Sequence, residues 1–204
     1  MISTRFTIFS IFTMILFSNF ALSADNNNKY SLSGVGIRSC NQYINAISSN
    51  KDQLRAFADW IEGYISAYNR FNKATFDAVP ITDRVGILTF VRNVCKNNRK
   101  MSVANALNGT LIALNPYRLQ KESKLIIAQN GKHRATVRQE TLARAQLELQ
   151  KRGLYKSTID GLYGNNTRDA FLKYQKSAGI PQSGVPDALT LMPLLFNNIA
   201  KSSR

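Results

Sequence analysis

Residues 145–180 read AQLELQKRGLYKSTIDGLYGNNTRDAFLKYQKSAGI, and the spacing of their glycines and apolar side chains predicts two helices joined by a tight turn. Gly153 is expected to end the first helix, because the left-handed conformation that follows many helices favours a residue without Cβ. Asp160-Gly161 favours the turn. Thr167 is a suitable N-cap for the second helix, which Gly179 closes.

Similar patterns flank this stretch on both sides. Upstream, Thr136 and Gln139 have the spacing of a capping box at the start of an amphipathic helix. Downstream, a shorter copy of the turn pattern is formed by Gly184, Asp187 and Thr190. With Thr190 as the N-cap of a third helix, Pro193 falls in the first turn, where no intrahelical donor is lost.

Together these residues resemble the peptidoglycan-binding-1 repeat of bacterial cell-wall proteins. The positions that carry the resemblance are Ala145-Gln146, Leu149, Gly153-Leu154-Tyr155, Ile159-Asp160-Gly161, Gly164, Thr167, Ala170-Phe171, Tyr174-Gln175 and Gly179-Ile180. The resemblance covers the last third of the chain and implies a three-helix module over residues 136–204. It also implies a module core, built from Leu149, Ile159, Ala170, Phe171 and Ile180.

The resemblance further implies that peptidoglycan is contacted near the turn at residues 160–166. Tyr155 and Tyr163 can stack on sugar or peptide faces, and Asn166 can bond an amide. Arg168 can pair with a carboxylate. Each of these residues is equally explained as a solvated surface residue, and Asp160 fits the forming of the turn better than contact with a ligand.

The first 24 residues have the features of a secretory signal peptide. Arg5 precedes an apolar run at residues 6–17, and small residues at 21–24 predict cleavage after Ala24. The run is shorter than the roughly 20 apolar residues of a membrane span, which disfavours an uncleaved anchor. The sequence therefore predicts a periplasmic or secreted bacterial protein associated with the cell wall.

Export gives the two cysteines a structural role. Cys40 and Cys95 are the chain's only cysteines, and an oxidising compartment favours a disulfide between them. A catalytic thiol would need a histidine partner. The single histidine, His133, lies in a charged segment far along the chain.

The region that contains the cysteines is predicted to be helical. Apolar spacing and caps predict helices at 41–49, at 53–71, from an N-cap at Thr82 to near Lys96, and from an N-cap at Ser102 to Asn115-Pro116. The expected fold is thus all-α. After the signal peptide at 1–24 come a disulfide-stapled four-helix domain at 25–114, a basic linker at 115–135 and the three-helix module at 136–204.

Residues 36–114 also resemble, more loosely, the small disulfide-bonded periplasmic chaperones of the Hde acid-stress type. The residues concerned are Ser39-Cys40, Trp60 to Ile65, Tyr68-Asn69 and Val94 to Asn98. This resemblance implies a chaperone or an immunity-like interaction protein.

The net charge of +15 is distributed through every part of the chain, which disfavours a stripe specific for nucleic acid. Catalytic groups are scarce as well. A zinc hydrolase needs about three protein ligands, usually with more than one histidine. A lysozyme-type acid would have Glu62, beside Trp60, as its candidate. We therefore expect no enzymatic activity, no metal and no cofactor.

The function that the sequence predicts is non-catalytic binding of peptidoglycan, which localises the N-terminal helical domain at the cell wall. Peptidoglycan is the expected partner, with an unidentified protein as a possible partner of the N-terminal domain. The alternative is a periplasmic chaperone or immunity-like protein whose wall module sets only its location. A wall hydrolase that uses carboxylates is a third and weaker alternative.

Overall fold

The computed structural model describes residues 29–197, in which helices predominate. The helices are α1 (Cys40–Ser49), α2 (Lys51–Phe71), α3 (Arg84–Asn97), α4 (Val103–Leu114), α5 (Gln139–Lys151), α6 (Asn165–Ser177) and α7 (Ala188–Leu195). Strands β1 (Leu125–Asn130) and β2 (His133–Arg138) lie between α4 and α5. Within the described range, none of the helices has the length and apolarity needed to span a membrane. The predicted signal peptide lies outside the described residues.

Side-chain caps fix the starts of the N-terminal helices. The Ser102 side chain accepts a hydrogen bond at the start of α4, as predicted. Ser39 and Gln42 form a capping box at α1, which was not predicted from the sequence. The N-cap of α3 was predicted wrongly. Asp83, rather than Thr82, caps α3 by accepting from Val85 N–H at 2.8 Å. An ionised carboxylate is a stronger acceptor than a hydroxyl, and it also favours the positive end of the helix dipole.

The disulfide predicted between Cys40 and Cys95 is present and joins the start of α1 to the end of α3. Both cysteines are fully buried, and Tyr43 is buried one turn further along α1. The Tyr43 ring packs edge-on against Phe57 of α2 at 5.2 Å between ring centroids. The disulfide is therefore part of an apolar core and not a surface link.

The prediction of an all-α fold is corrected by an antiparallel hairpin. Its strands pair with Ile126 opposite Val137 and Ile127 opposite Thr136. Ala128 and Val137 are buried, whereas Ile127 is exposed, which is the alternation expected of a sheet with one face on a core. Part of the predicted basic linker is thus regular structure, and its Asn130-Gly131 turn joins the two strands.

Thr136 consequently does not cap α5. It lies within β2, and the backbone position before α5 is taken by Arg138, whose side chain makes no capping bond. The capping-box spacing of Thr136 and Gln139 was overridden by the pairing of the two strands. Backbone hydrogen bonds across the hairpin outweigh a single cap, because each of them satisfies a donor and an acceptor.

The C-terminal module packs directly on the N-terminal helices. The Thr141 hydroxyl of α5 donates to the Pro80 carbonyl at 3.0 Å, and Phe90 of α3 packs edge-on against Phe196 at 5.6 Å between ring centroids. Buried side chains from both regions form one continuous apolar cluster. The described residues from Ser33 onward accordingly form one compact unit. That residues 25–114 and 136–204 fold independently of each other, on either side of residues 115–135, stays a prediction.

Candidate functional site

A buried glutamine organises the turn that the sequence identified. Gln146 of α5 is fully buried, and its Oε1 accepts from the backbone N–H groups of Asp160 at 3.1 Å and Gly161 at 2.8 Å. Its Nε2 lies within hydrogen-bonding distance of four oxygens, namely Asp160 Oδ1, the Leu162 carbonyl, Thr167 Oγ1 and Tyr155 Oη. One side chain thus joins α5, the turn and the first turn of α6.

The turn is tight because Gly161 contacts the start of α5. Gly161 has φ +68°, and a Cβ there would lie 2.4 Å from the Gln139 carbonyl oxygen. The Asp160 carboxylate accepts from Leu162 N–H at 2.8 Å. This bond is the largest cause of the lowered pKa of Asp160, and the bond from Gln146 is the second largest. Asp160 is exposed, yet its carboxylate and both its backbone polar groups are used to shape the turn. Its predicted turn-forming role is the one these contacts favour.

The predicted cap at Thr167 is wrong in its details. α6 begins earlier, at Asn165, and Gly164 at its N-cap makes no side-chain bond. Thr167 is buried in the first turn of the helix and donates to the Leu162 carbonyl at 3.1 Å. Its hydroxyl bonds to the preceding turn instead of capping the helix, because Gln146 bonds both the Leu162 carbonyl and the Thr167 hydroxyl and holds them close together.

A second turn repeats this arrangement one helix later. Gln175 of α6 is fully buried, its Oε1 accepts from Gly184 N–H at 2.8 Å, and its Nε2 bonds Thr190 Oγ1 at 2.8 Å and Ser183 Oγ at 2.9 Å. Gly184 has φ +72°, and a Cβ there would meet the Asn130 side chain at 2.7 Å. The shorter copy of the turn pattern in the sequence is therefore a structural repeat, with the two glutamines in matching roles.

The start of α7 also differs from the prediction. Asp187 is the N-cap, and its carboxylate accepts from Thr190 N–H at 2.9 Å. Thr190 lies inside the helix, so Pro193 falls beyond the first turn and interrupts the backbone hydrogen bonds of α7.

Tyr163 connects the two turns. Its phenol donates to the Gly184 carbonyl at 2.8 Å, and the side chain is half-buried. Burial raises the pKa of Tyr163, an effect that nearby Arg168 opposes. The hydroxyl of Tyr163 thus serves the fold, which leaves only part of the ring accessible to a ligand.

The remaining predicted contact residues differ in exposure. Tyr155 is only 4% exposed, and its hydroxyl donates to the Thr158 carbonyl at 2.7 Å, so the expected exposed stacking surface is absent there. Asn166 is exposed and donates to Ser157 Oγ at 2.8 Å. Arg168 is half-buried and pairs with Asp169 at 2.8 Å.

Two apolar side chains border the turn and face solvent. Leu162 is 51% exposed and Ile159 is 38% exposed, so Ile159 is not the core residue that the sequence pattern implied. They flank Asp160 in the chain, and Asn166 lies beyond them at the start of α6. An exposed surface of apolar and amide groups around a rigid turn suits a ligand that combines hydrocarbon and amide chemistry.

Gln146 and Gln175 belong to the residue pattern of the resemblance, but no structural role was assigned to them from the sequence, although a signal for that role exists. Gln146 falls on the apolar stripe of α5, four residues after Leu142 and three before Leu149, both of which are buried. Gln175 likewise follows buried Phe171 by four residues. A polar residue on the core face of a helix requires buried partners, and here those partners are the two turns.

Of the groups considered for catalysis, Glu62 is paired with another residue and His133 is exposed. Both oxygens of Glu62 accept from the Arg84 guanidinium, at 2.7 and 2.6 Å, and the Glu62 side chain is 42% exposed. His133 is exposed at the start of β2. Between residues 29 and 197 no three histidine, cysteine or carboxylate side chains are grouped closely enough to hold a metal ion.

Comparison with known proteins found a family match within the C-terminal third of the chain. Residues 138–194 match the model of a family described as "Putative peptidoglycan binding domain". No curated protein and no solved structure matches the chain significantly, and the looser resemblance to Hde-type chaperones finds no support. The matched segment begins at the last residue of β2 and contains both glutamine-centred turns. The C-terminal part of the chain thus matches the peptidoglycan binding domain family, as its residue pattern predicted.

Proposed function

We propose that the protein is exported and that its C-terminal module holds the N-terminal helices at the bacterial cell wall. The observation that carries this proposal is the match of residues 138–194 to the peptidoglycan binding family. The apolar run at residues 6–17, followed by small residues before Asp25, supports export. A disulfide that closes a long loop suits an oxidising compartment.

The surface around the first turn is the proposed contact for peptidoglycan. A muropeptide offers amides, hydroxyls and carboxylates beside the apolar faces of its sugars and side chains. Leu162 and Ile159 supply apolar contact, and the exposed amide of Asn166 can exchange hydrogen bonds with the ligand. Gln146 and Gly161 act indirectly, because they fix the backbone on which these groups are carried.

The proposal excludes cleavage of the wall. Both oxygens of Glu62 accept hydrogen bonds from Arg84, whereas a general acid must present its carboxyl group to the substrate oxygen that it protonates. The thiol route is closed because both cysteines are in the disulfide. Each observation argues against one hydrolytic mechanism, and together they support a role in binding.

Cosedimentation with purified sacculi tests the proposal. The chain from Asp25 onward should pellet with sacculi, and binding should persist at 1 M salt, where the Debye length is about 3 Å and exposed charges are screened. Leu162→Ser should weaken binding roughly tenfold or more through lost apolar contact. The matched control is Ile112→Ser on α4, which removes a side chain that is also exposed, at 64%. Complete release at 1 M salt, or equal loss in both variants, would refute specific recognition by this turn.

The chaperone alternative makes a different prediction. A chaperone should suppress aggregation of an acid-unfolded client protein whether or not sacculi are present. Suppression that survives Leu162→Ser, in a protein that fails to pellet with sacculi, would favour the alternative over wall binding.

A further inference from the structure

One end of the N-terminal region carries a cluster of exposed cations, which we call the basic end. Its members are Arg38, Arg92, Lys96, Arg99 and Lys100. They come from three separate segments of the chain: the turn before α1, the second half of α3, and the loop between α3 and α4. The fold, and not the sequence order alone, brings them together.

Backbone contacts hold these segments close to one another. Asn41 N–H donates to the Arg99 carbonyl at 2.9 Å, and Val103 N–H donates to the Arg38 carbonyl at 2.9 Å. The Cys40–Cys95 disulfide ties the start of α1 to the residue before Lys96. Arg92 lies one helical turn before Lys96, so both project from the same side of α3. The positions of the cations are therefore fixed by the core.

The basic end has no carboxylates within its own helices. α1, α3 and α4 contain no Asp or Glu, and none occurs between Arg84 and Lys121. In the part of the chain that the structure describes, none of the five cations forms an ion pair. A polyanionic partner could therefore contact these cations without displacing an intramolecular ion pair.

The basic end lies away from the C-terminal module. Gly86, near the start of α3, faces Ala188 of α7, and a Cβ built on Gly86 would lie 3.5 Å from the Ala188 Cβ. Phe90 is a later residue of α3 that contacts the C-terminal region, through Phe196, and Lys96 lies six residues beyond it, about 9 Å at the rise of an α-helix. Lys96, Arg99 and Lys100 therefore lie at and beyond the end of α3 that is farther from these contacts.

An exposed apolar residue accompanies the cations. Ile37, adjacent to Arg38, is 61% exposed and is fixed in a short 3-10 turn. The aromatic side chain beside this turn, Trp60, is half-buried against Gly36 and donates from Nε1 to the Ser33 carbonyl at 2.8 Å, so it is part of the fold and not an open stacking surface for single-stranded nucleic acid. Cations around a protruding aliphatic side chain are the combination that favours a bilayer interface, where the charges meet lipid phosphates and the side chain enters the acyl boundary.

We propose that the basic end binds the surface of an anionic phospholipid bilayer. Arg38, Arg99 and Lys100 contact headgroup phosphates, and Ile37 inserts between the headgroups. With the module on peptidoglycan, the protein would then join the wall to a membrane surface, and only this bridging role rests on the proposed wall binding.

Vesicle cosedimentation tests the proposal with the chain from Asp25 onward, which omits the apolar run at residues 6–17 and keeps the compact unit. It should bind vesicles of equimolar phosphatidylglycerol and phosphatidylcholine but not vesicles of phosphatidylcholine alone. The triple variant Arg38→Gln, Arg99→Gln, Lys100→Gln should bind about 100-fold more weakly, from the usual contribution of each cation near an anionic surface. Its matched control, Lys121→Gln, Lys132→Gln, Arg134→Gln, removes three exposed cations elsewhere and should stay within a few-fold of wild type.

Three results would overturn the proposal. Equal weakening in both triple variants would mean that net charge, and not the basic end, governs binding. Unchanged vesicle affinity in Ile37→Ser, or equally tight binding of duplex DNA by the wild type, would identify a general polyanion surface. Sacculus binding by the first triple variant should be unaffected at 1 M salt, which separates this proposal from that of wall binding. Unfolding by urea verifies that each variant is folded.

Discussion

The phenol of Tyr163 donates a 2.8 Å hydrogen bond to the carbonyl oxygen of Gly184, which joins the two turns of the C-terminal module. Each turn is held separately by a buried glutamine, Gln146 for the first and Gln175 for the second. The module therefore repeats one arrangement, in which a buried side-chain amide on a helix forms hydrogen bonds with the backbone of the turn that follows it. Tyr163 links the two copies directly through its hydroxyl group.

Gln146→Ala should destabilise the protein by about 2–4 kcal/mol, because it leaves several buried polar groups of the turn without a partner. Unfolding by urea, followed by circular dichroism, measures the effect. Gln150→Ala on the same helix is the control, since Gln150 is exposed and its side chain makes no hydrogen bond among the described residues. Similar stabilities for the two variants would contradict the role assigned to Gln146.

Gly161→Ala should cost more than Gly153→Ala, although both glycines have φ near +70°. At Gly153 no atom lies within 4 Å of an added Cβ, so only the backbone conformation opposes alanine, at about 1 kcal/mol. At Gly161 the Cβ would meet the Gln139 carbonyl, and we expect a cost of about 2–4 kcal/mol. Equal free energies of unfolding would mean that the turn shifts without loss.

The lowered pKa of Asp160 predicts a pH dependence. Its hydrogen bonds with Leu162 N–H and Gln146 favour the charged form in the folded state, so they stabilise the protein above the ordinary pKa of 3.8. That stabilisation is lost as the pH falls through the lower folded pKa. The difference in unfolding free energy between wild type and Asp160→Asn should therefore be largest near neutral pH and shrink in acid. A difference that is constant from pH 3 to pH 7 would contradict this.

The disulfide should stabilise the chain by about 4 kcal/mol, as expected from the chain entropy of a loop of this size. Cys40→Ala with Cys95→Ala should lower the midpoint of unfolding by urea relative to the oxidised protein. Because these cysteines are far from the first turn in the chain, sacculus binding by the folded variant should be unchanged. Alkylation of both cysteines in the unreduced protein, detected by mass spectrometry, would show that the disulfide does not form.

Purified protein should release no soluble muropeptides from sacculi, with or without added zinc. The pairing of Glu62 with Arg84 is the reason, since the guanidinium occupies both of the oxygens that a general acid would present to the substrate. Chromatography of the supernatant after prolonged incubation checks this result. Release that disappears in Glu62→Gln and persists in Asp59→Asn would make the protein a wall hydrolase instead.

The sequence by itself determined those features that depend on local chemistry. Helical spacing, the cap at Ser102 and the left-handed Gly153 depend on a few neighbouring residues, and each was predicted correctly. The pairing of Cys40 with Cys95 followed from having only two cysteines. The family match at residues 138–194 was also readable, because its turns have fixed spacings.

Only the tertiary structure decided which of several local options prevailed. Thr136 has the spacing of a cap, but pairing with Ile127 places it in a strand. Tyr155 and Ile159 exchange their expected environments, with the tyrosine buried and the isoleucine exposed, because the hydroxyl of Tyr155 finds partners in the turn that Gln146 organises. Contacts between residues distant in the chain outweigh local preferences of about 1 kcal/mol, since each buried polar group must be satisfied somewhere in the fold.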